Sequence, residues 1–382
     1  MHPTSVPFWH TEFQLAHMAL LFTVILIALV FEYINGFHDT ANSIATVVST
    51  KVLSPRQAVM LAACTNLLGA LWGTAVARTI SSGLIDTKVV SMGSEIIICA
   101  LLGAIIWNLI TWWFGLPSSS SHALIGGLCG SALAASGGKW HVIIWAQPSS
   151  QHWWLGKGLL WKVIVPMVTS PIAGLILGFI LMGLLYVLLR NARPARVNRF
   201  FGVAQMFSAG GMGFMHGTND AQKTMGIIAL TLLAATQAGQ LENLPGWLSF
   251  LHTPAPPPGK EMEIAVWIKV VCAMTMASGT AVGGWRIIKT LGHKMVKLHP
   301  INGFAAETSS AAVILAATHL GIPVSTTHNI SAAIMGVGAA RRFNAIKWNI
   351  VERMVWAWIL TIPVTAGLAY GFVRILMALG AA

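Results

Sequence analysis

Long apolar runs, interrupted at a few polar points, fill this chain from one end to the other. Runs of about 20 residues have bilayer-spanning length. They predict ten helical membrane segments, at roughly 15–50, 57–79, 94–114, 118–135, 161–189, 201–230, 262–284, 300–320, 322–340 and 348–378. The first is expected to break near Asn35-Gly36, and 94–114 with 118–135 reads as a hairpin that does not fully cross. The run from Leu15 to Phe31 reads as a first span, not a cleaved signal, because no basic region precedes it and no A-x-A site follows. Composition agrees. Only 9% of the 382 residues are charged, against about 25% in an ordinary soluble domain. A water-soluble globule of this size could not cover itself with so few charges. The net charge of +12 has no basic face of a soluble fold to sit on, so a nucleic-acid partner is set aside. Cys64, Cys99, Cys129 and Cys272 lie within apolar runs, form no C-x-x-C pair, and read as small buried hydrophobes.

The ten segments divide into two matching fives. Asn35-Gly36-Phe37-His38-Asp39-Thr40-Ala41-Asn42-Ser43 corresponds to His216-Gly217-Thr218-Asn219-Asp220-Ala221-Gln222-Lys223-Thr224, with Asp39 and Asp220 181 residues apart. Gly73-Thr74-Ala75-Val76 pairs with Gly279-Thr280-Ala281-Val282. Gly115-Leu116-Pro117-Ser118-Ser119-Ser120-Ser121-His122 pairs with Gly321-Ile322-Pro323-Val324-Ser325-Thr326-Thr327-His328. Both of these stand 206 residues apart. The second half thus carries about 25 extra residues, which fall in the Pro-rich loop Thr236–Lys260. The expected organisation is a first repeat over 1–189, a basic linker over 190–200 and a second repeat over 201–382.

Five spans per half is odd, so the halves should lie in the membrane with opposite orientation. Placing Arg190, Arg193, Arg196 and Arg199 inside also puts Lys51/Arg56, Arg286/Lys289/Lys294/Lys297 and Arg341/Arg342/Lys347 inside, with both termini outside. Arg78, Lys88, Lys139, Lys157, Lys162 and Lys260 fall outside. Trp140, Trp145, Trp153, Trp154 and Trp161 in the outer loop read as an interfacial aromatic belt. The expected fold is an all-α polytopic membrane protein of two inverted-topology repeats, about five segments each, with broken helices or hairpins at the midplane.

Inverted repeats place a substrate site at the midplane, where the repeats meet. Pro117 and Pro323, each followed by hydroxyl residues, read as helix starts, with Pro in the first turn and Ser/Thr as cap. Such a start turns free N–H groups and a positive dipole end toward an anion. Two inverted copies would aim Ser119, Ser120, Ser121, Ser325, Thr326 and Thr327 at one tetrahedral oxyanion; Ser/Thr runs that merely let helices pack closely are the alternative. A carboxylate in a membrane is costly and needs a reason. Asp39 and Asp220 are repeat mates at the expected unwound points, placed to bind a cation or carry a proton, with Asn42 and Asn219 beside them. Lys223, three residues after Asp220, either pairs with it or touches the anion. Glu32 reads as interfacial, Glu307 has only a weak apolar context, and Glu352 reads as a partner of Arg353. His38, His122, His216 and His328 adjoin these motifs, with proton or metal roles and capping or packing roles both open. Ser121 and His122 cannot form a nucleophile–base pair with each other, because neighbours on a helix point about 100° apart. No G-x-S-x-G elbow occurs, so an enzyme is not expected. An anion channel would share the neutral donors but need no paired carboxylates.

These four motifs together resemble the inorganic phosphate transporter (Pit) family, and Ile106-Trp107-Asn108 resembles its bacterial low-affinity branch. The resemblance covers nearly the whole chain, although the family's long hydrophilic insertion between halves is reduced here to Arg190–Arg199. It implies a multi-pass protein of the bacterial cytoplasmic membrane that moves inorganic phosphate by secondary transport. It also implies no resident cofactor, and leaves a homodimer open. Members of this branch are proton-coupled and carry phosphate as a divalent-metal complex; others use sodium, and the superfamily includes sulfate permeases. The Asp motifs would then serve the cation, and the Ser/Thr starts with Lys223 the phosphate.

Overall fold

The computed structural model describes residues 8–86, 89–90, 92–147, 156–242, 244–255 and 263–380. Lys88, Trp153, Trp154 and Lys260 lie outside the described residues, as do Pro256, Pro257 and Pro258. Among the described residues twelve α-helices follow one another: α1 (Phe8–Ser49), α2 (Pro55–Ala70), α3 (Ala75–Ser82), α4 (Ser94–Trp113), α5 (Ser120–Ala135), α6 (Val165–Leu188), α7 (Pro194–Gln237), α8 (Val266–Val282), α9 (Trp285–Lys289), α10 (Pro300–His319), α11 (Thr326–Arg341) and α12 (Trp348–Ala378). Among the described residues the only β pairing is two isolated bridges, Ile85–Ile143 and Gln147–Lys157.

Among the described residues four stretches are long and apolar enough to cross a bilayer alone: Met18–Ser49, Ser94–Phe114, Leu160–Leu188 and Trp348–Ala378. A fifth is the pair Val266–Val282 and Trp285–Lys294, bent by 57°. The outer faces of α6 and α12 expose Ile172, Phe179, Val187, Trp356 and Ile359. A row of bare apolar side chains this long is stable only against lipid. Trp140 and Trp145 are also exposed, with ring centroids 6.0 Å apart. The segments expected at 118–135 and 322–340 are the 16-residue helices α5 and α11. At 1.5 Å per residue each is only about 24 Å long, and both lie almost wholly inside the protein. The segment expected at 57–79 is divided between α2 and α3.

The hairpins α4–α5 and α10–α11 follow from local sequence. Gly115 (φ +63°) and Gly321 (φ +61°) take the left-handed conformation that ends a helix cheaply. Around them the N–H groups of Gly115 and Leu116 reach Trp112 and Thr111, and those of Gly321 and Ile322 reach Thr318 and Ala317. This closes the last carbonyls of α4 and α10. Pro117 and Pro323 then prevent the helix from continuing. Ser119 and Ser325 cap the next helices by accepting from the N–H of His122 (3.2 Å) and His328 (3.1 Å). The prolines therefore precede the caps and are not in the first turns, as the sequence had suggested. Ser119→Ala and Ser325→Ala are each expected to cost about 1 kcal/mol, seen as a lower Tm in detergent.

Two expectations are corrected here. First, α1 and α7 run unbroken through Asn35-Gly36 and Gly217-Thr218-Asn219. Gly36 and Gly217 serve close packing, not unwinding. A Cβ on Gly36 would lie 2.3 Å from the Met276 carbonyl oxygen of α8, and one on Gly217 2.3 Å from that of Asn66 on α2. Second, Gly73 corresponds to Gly283, not to Gly279. Both adopt positive φ (+81° and +78°) and both precede the short helices α3 and α9. The Thr79 hydroxyl bonds the Gly321 carbonyl at 2.7 Å just as the Thr290 hydroxyl bonds that of Gly115 at 2.8 Å. The offset is 210 residues between the glycines and 211 between the threonines, about one helical turn beyond the 206 suggested by Gly-Thr-Ala-Val. The packing is correspondingly paired: α1 lies on α8 and α7 on α2, while α5 lies on α12 and α11 on α6.

Candidate functional site

The centre of the protein is polar. Along α1, Glu32, Asn35, Asp39, Asn42, Ser43 and Thr46 recur at helical spacing, and all are buried. Along α7, Gln205, His216, Asp220, Lys223 and Thr224 do the same. The two stripes face each other, and the starts of α5 and α11 close on them. The carboxylates of Asp39 and Asp220 and the imidazole of His216 lie within 4.8 Å of one another. His216 Nε2 is 2.9 Å from Asp220 Oδ2, and His38 Nδ1 is 2.7 Å from Asp39 Oδ1.

The α11 start is wired into both carboxylates. The Thr326 hydroxyl donates to Asp220 Oδ2 (2.8 Å) and the Thr327 hydroxyl to Asp39 Oδ1 (3.3 Å). Asn42 Nδ2 donates to both hydroxyls, at 3.1 and 2.9 Å. The α5 start reaches the cluster through Lys223, whose Nζ donates to Asp220 Oδ1, to the Ser121 hydroxyl, and at 3.3 Å to the Val324 carbonyl. The Ser121 hydroxyl also donates to that carbonyl at 3.5 Å, so the two helix starts touch. Behind them His122 and His328 meet with ring centroids 4.9 Å apart, and His328 stacks on Trp358 at 4.2 Å. Asp39, Asn42, Ser119, Ser120, Ser121, Asp220, Lys223, Ser325, Thr326 and Thr327 are all at most 3% exposed.

Nearly all the residues singled out from sequence therefore meet at one point. Asn219 stands apart: its Nδ2 bonds the Thr318 hydroxyl (3.0 Å) and the Ile322 carbonyl (3.2 Å), tying α7 to the α10–α11 turn. Ser119 and Ser325 use their oxygens as caps. The cap at N3 leaves the N–H groups at Ser120, Ser121, Thr326 and Thr327 as the free donors of the two starts. Ser120 Oγ and Asn42 Oδ1 are buried and have no protein hydrogen-bond partner. Unpaired polar atoms in a closed interior cost free energy unless a ligand or water meets them.

The reading of the remaining charges changes. Glu32 is fully buried, not interfacial, and accepts from the Thr224 hydroxyl. Glu307 is fully buried too; it accepts from Thr46, from Ser208, and from Gln205 Nε2 at 3.3 Å. Glu352 and Arg353 are exposed, and so is Cys64. Sequence reasoning missed Asn66, which holds His216 Nδ1 (3.1 Å) and the Thr280 hydroxyl (3.0 Å). It also missed Gln222, which caps α3 by accepting from the N–H of Val76 at 2.8 Å. The available signal was that each is a large amide facing inward from an otherwise small or apolar helix face.

Helices of spanning length around a sealed polar centre, with two helix starts converging on paired carboxylates, define a polytopic membrane protein whose interior handles ions. The phosphate transporter family model matches residues 35–369, and the chain belongs to that family. It is similar to two proteins named "probable low-affinity inorganic phosphate transporter". That of Bacillus subtilis (strain 168) is 42% identical over 351 residues, 92% of this chain and 95% of the relative. That of Rhizobium meliloti (strain 1021) is 44% identical over 348 residues, 91% and 93% of the two chains. A solved structure described as the sodium-dependent phosphate transporter shares the fold, with a TM-score of 0.76 at 21% identity, covering 94% of this chain and 99% of that one.

Proposed function

We propose that this protein is a secondary symporter that carries inorganic phosphate across the bacterial cytoplasmic membrane. The phosphate, free or as a divalent-metal complex, sits between the starts of α5 and α11. Ser120, Ser121, Thr326 and Thr327 give it hydroxyl and backbone donors, Ser119 and Ser325 hold the starts in shape, and Lys223 adds charge. A cation, taken here as a proton, is bound at Asp39 and Asp220, with Asn42 orienting the two threonines. The observation that carries this reading is the convergence of two matched helix starts and two matched carboxylates on one buried cluster. Asp39, Asp220 and Lys223 sum to one negative charge, so an anion enters only with compensating cations. The loaded, nearly neutral complex can then change access at low cost, because moving net charge through a low-dielectric interior costs several kcal/mol.

Two inverted repeats, over 1–189 and 201–382, with the 190–200 linker and the other basic loops inside and both termini outside, are the frame for alternating access. The paired contacts of α1–α8 with α7–α2 and of α5–α12 with α11–α6 support this frame. Phosphate over sulfate follows from the carboxylates: HPO₄²⁻ keeps a proton to donate to Asp39 or Asp220, and sulfate has none.

Scintillation-proximity binding of radiolabelled phosphate to purified protein tests the site. Ser121→Ala and Thr327→Ala are each expected to weaken binding roughly tenfold or more, since a hydrogen bond to a charged group is worth about 1.5–3 kcal/mol. Excess sulfate should compete poorly. Unchanged affinity in both variants would contradict the placement.

A further inference from the structure

Lys223 breaks the symmetry of its own motif. Its repeat mate is Asn42, each three residues after its aspartate. The mates reach equivalent targets: Asn42 Nδ2 donates to the Thr327 hydroxyl at 2.9 Å, and Lys223 Nζ donates to the hydroxyl of Ser121, the mate of Thr327. The two halves thus build the same contact, once with a neutral amide and once with an ammonium. Around Lys223 Nζ stand a carboxylate oxygen of Asp220, the Ser121 hydroxyl and the Val324 backbone carbonyl, from three different elements. Carboxylate, hydroxyl and backbone carbonyl are the oxygen ligands that hard metal cations take. The ammonium is a compact point charge on a flexible stem, and it fills the space such an ion would need.

We infer that Lys223 is a tethered cation: it occupies a position that would otherwise hold a mobile monovalent metal ion such as sodium. Without it the cluster of Asp39 and Asp220 carries two negative charges, and with it one. The lysine therefore supplies one of the positive charges the cycle requires and removes one mobile cation from the stoichiometry. It also makes the Asp220 position insensitive to sodium. This goes beyond the assignment of Lys223 to phosphate binding. The transport arm of the test rests on the symporter reading, and the binding arm does not.

The test compares wild type with Lys223→Asn, which installs the residue of the mate position, and with the charge-matched double variant Asp220→Asn/Lys223→Asn. Thermal unfolding of purified protein is followed while sodium replaces choline at constant ionic strength. Wild type and the double variant share the Asp39–Asn42 side, so any sodium response from that side is common to both. Lys223→Asn should show a larger saturable rise in Tm with sodium than either, because it alone has the Asp220 carboxylate without the ammonium. In proteoliposomes, phosphate uptake by Lys223→Asn should depend on an imposed sodium gradient more than uptake by wild type does. A folded Lys223→Asn whose sodium response in unfolding is no larger than that of wild type overturns the inference. If Lys223→Asn fails to fold, Lys223→Gln takes its place with the same expectation, again judged against wild type. Should wild type carry no phosphate at all, the symporter reading fails, while the unfolding assay continues to judge the lysine.

Discussion

Asp220→Asn is expected to abolish gradient-driven phosphate uptake and to destabilise the protein, whereas Asp39→Asn should abolish uptake with a smaller loss of stability. Asp220 is the carboxylate bonded to Lys223, and both side chains are buried. Removing one member of a buried ion pair leaves an uncompensated charge and costs about 3–5 kcal/mol, equivalent to roughly 10²–10⁴-fold in an equilibrium constant. Among the described residues Asp39 meets no lysine or arginine at ion-pair distance: it receives the Thr327 hydroxyl and lies beside His38, both retained by an amide. Asp220→Asn combined with Lys223→Met removes both charges. It should regain much of the lost Tm without regaining uptake, because the coordination around the cluster is gone. Unfolding in detergent and uptake in proteoliposomes separate the two effects. Equal Tm losses for the two single variants would show that the ion pair does not contribute as its geometry suggests.

Gly36→Ala and Gly217→Ala should be strongly disruptive single-methyl changes beside the site. In each case the new Cβ would meet a backbone carbonyl oxygen of the facing helix at 2.3 Å, and a backbone oxygen cannot rotate aside. The helices must separate, and overpacking of this kind costs about 1–3 kcal/mol or more. The same separation moves Asp39 and Asp220, which lie three residues further along the same helices, out of register with the α11 start. We expect a Tm loss together with a large drop in uptake. Gly211→Ala serves as the control, since a Cβ there meets nothing within 4 Å. If Gly36→Ala and Gly217→Ala behave like Gly211→Ala, the helix contacts described above are wrong.

These glycines also show where sequence reading stopped. A glycine beside polar residues in an apolar helix can mark a break or a close contact, and the facing helix decides between them. That helix lies more than 200 residues away from Gly36. The α4–α5 and α10–α11 hairpins were legible because every device in them is local: a left-handed Gly, a Pro that stops the helix, a Ser that caps the next. The Gly-Thr-Ala-Val pairing went wrong by one turn because a one-turn slide keeps the same helix face inward; only the positive φ of Gly73 and Gly283 settles the register. Glu32 shows a further limit. It stands seven residues before Asp39, two turns along the same face, so its inward direction was readable from spacing alone. Its partner Thr224 on α7 was not. The residues singled out from sequence, except Asn219, come together because α1, α7 and the starts of α5 and α11 converge.

Coupled transport would concentrate phosphate against its gradient. The most direct measurement is radiolabelled phosphate uptake by the purified protein in sealed proteoliposomes, with an imposed pH gradient and with that gradient dissipated by an ionophore. Accumulation above the external concentration is expected while the gradient lasts, with collapse when it is dissipated and weak competition by sulfate. Flux that merely equilibrates phosphate whatever the gradient, or accumulation that persists in the Asp39→Asn and Asp220→Asn variants, would contradict it.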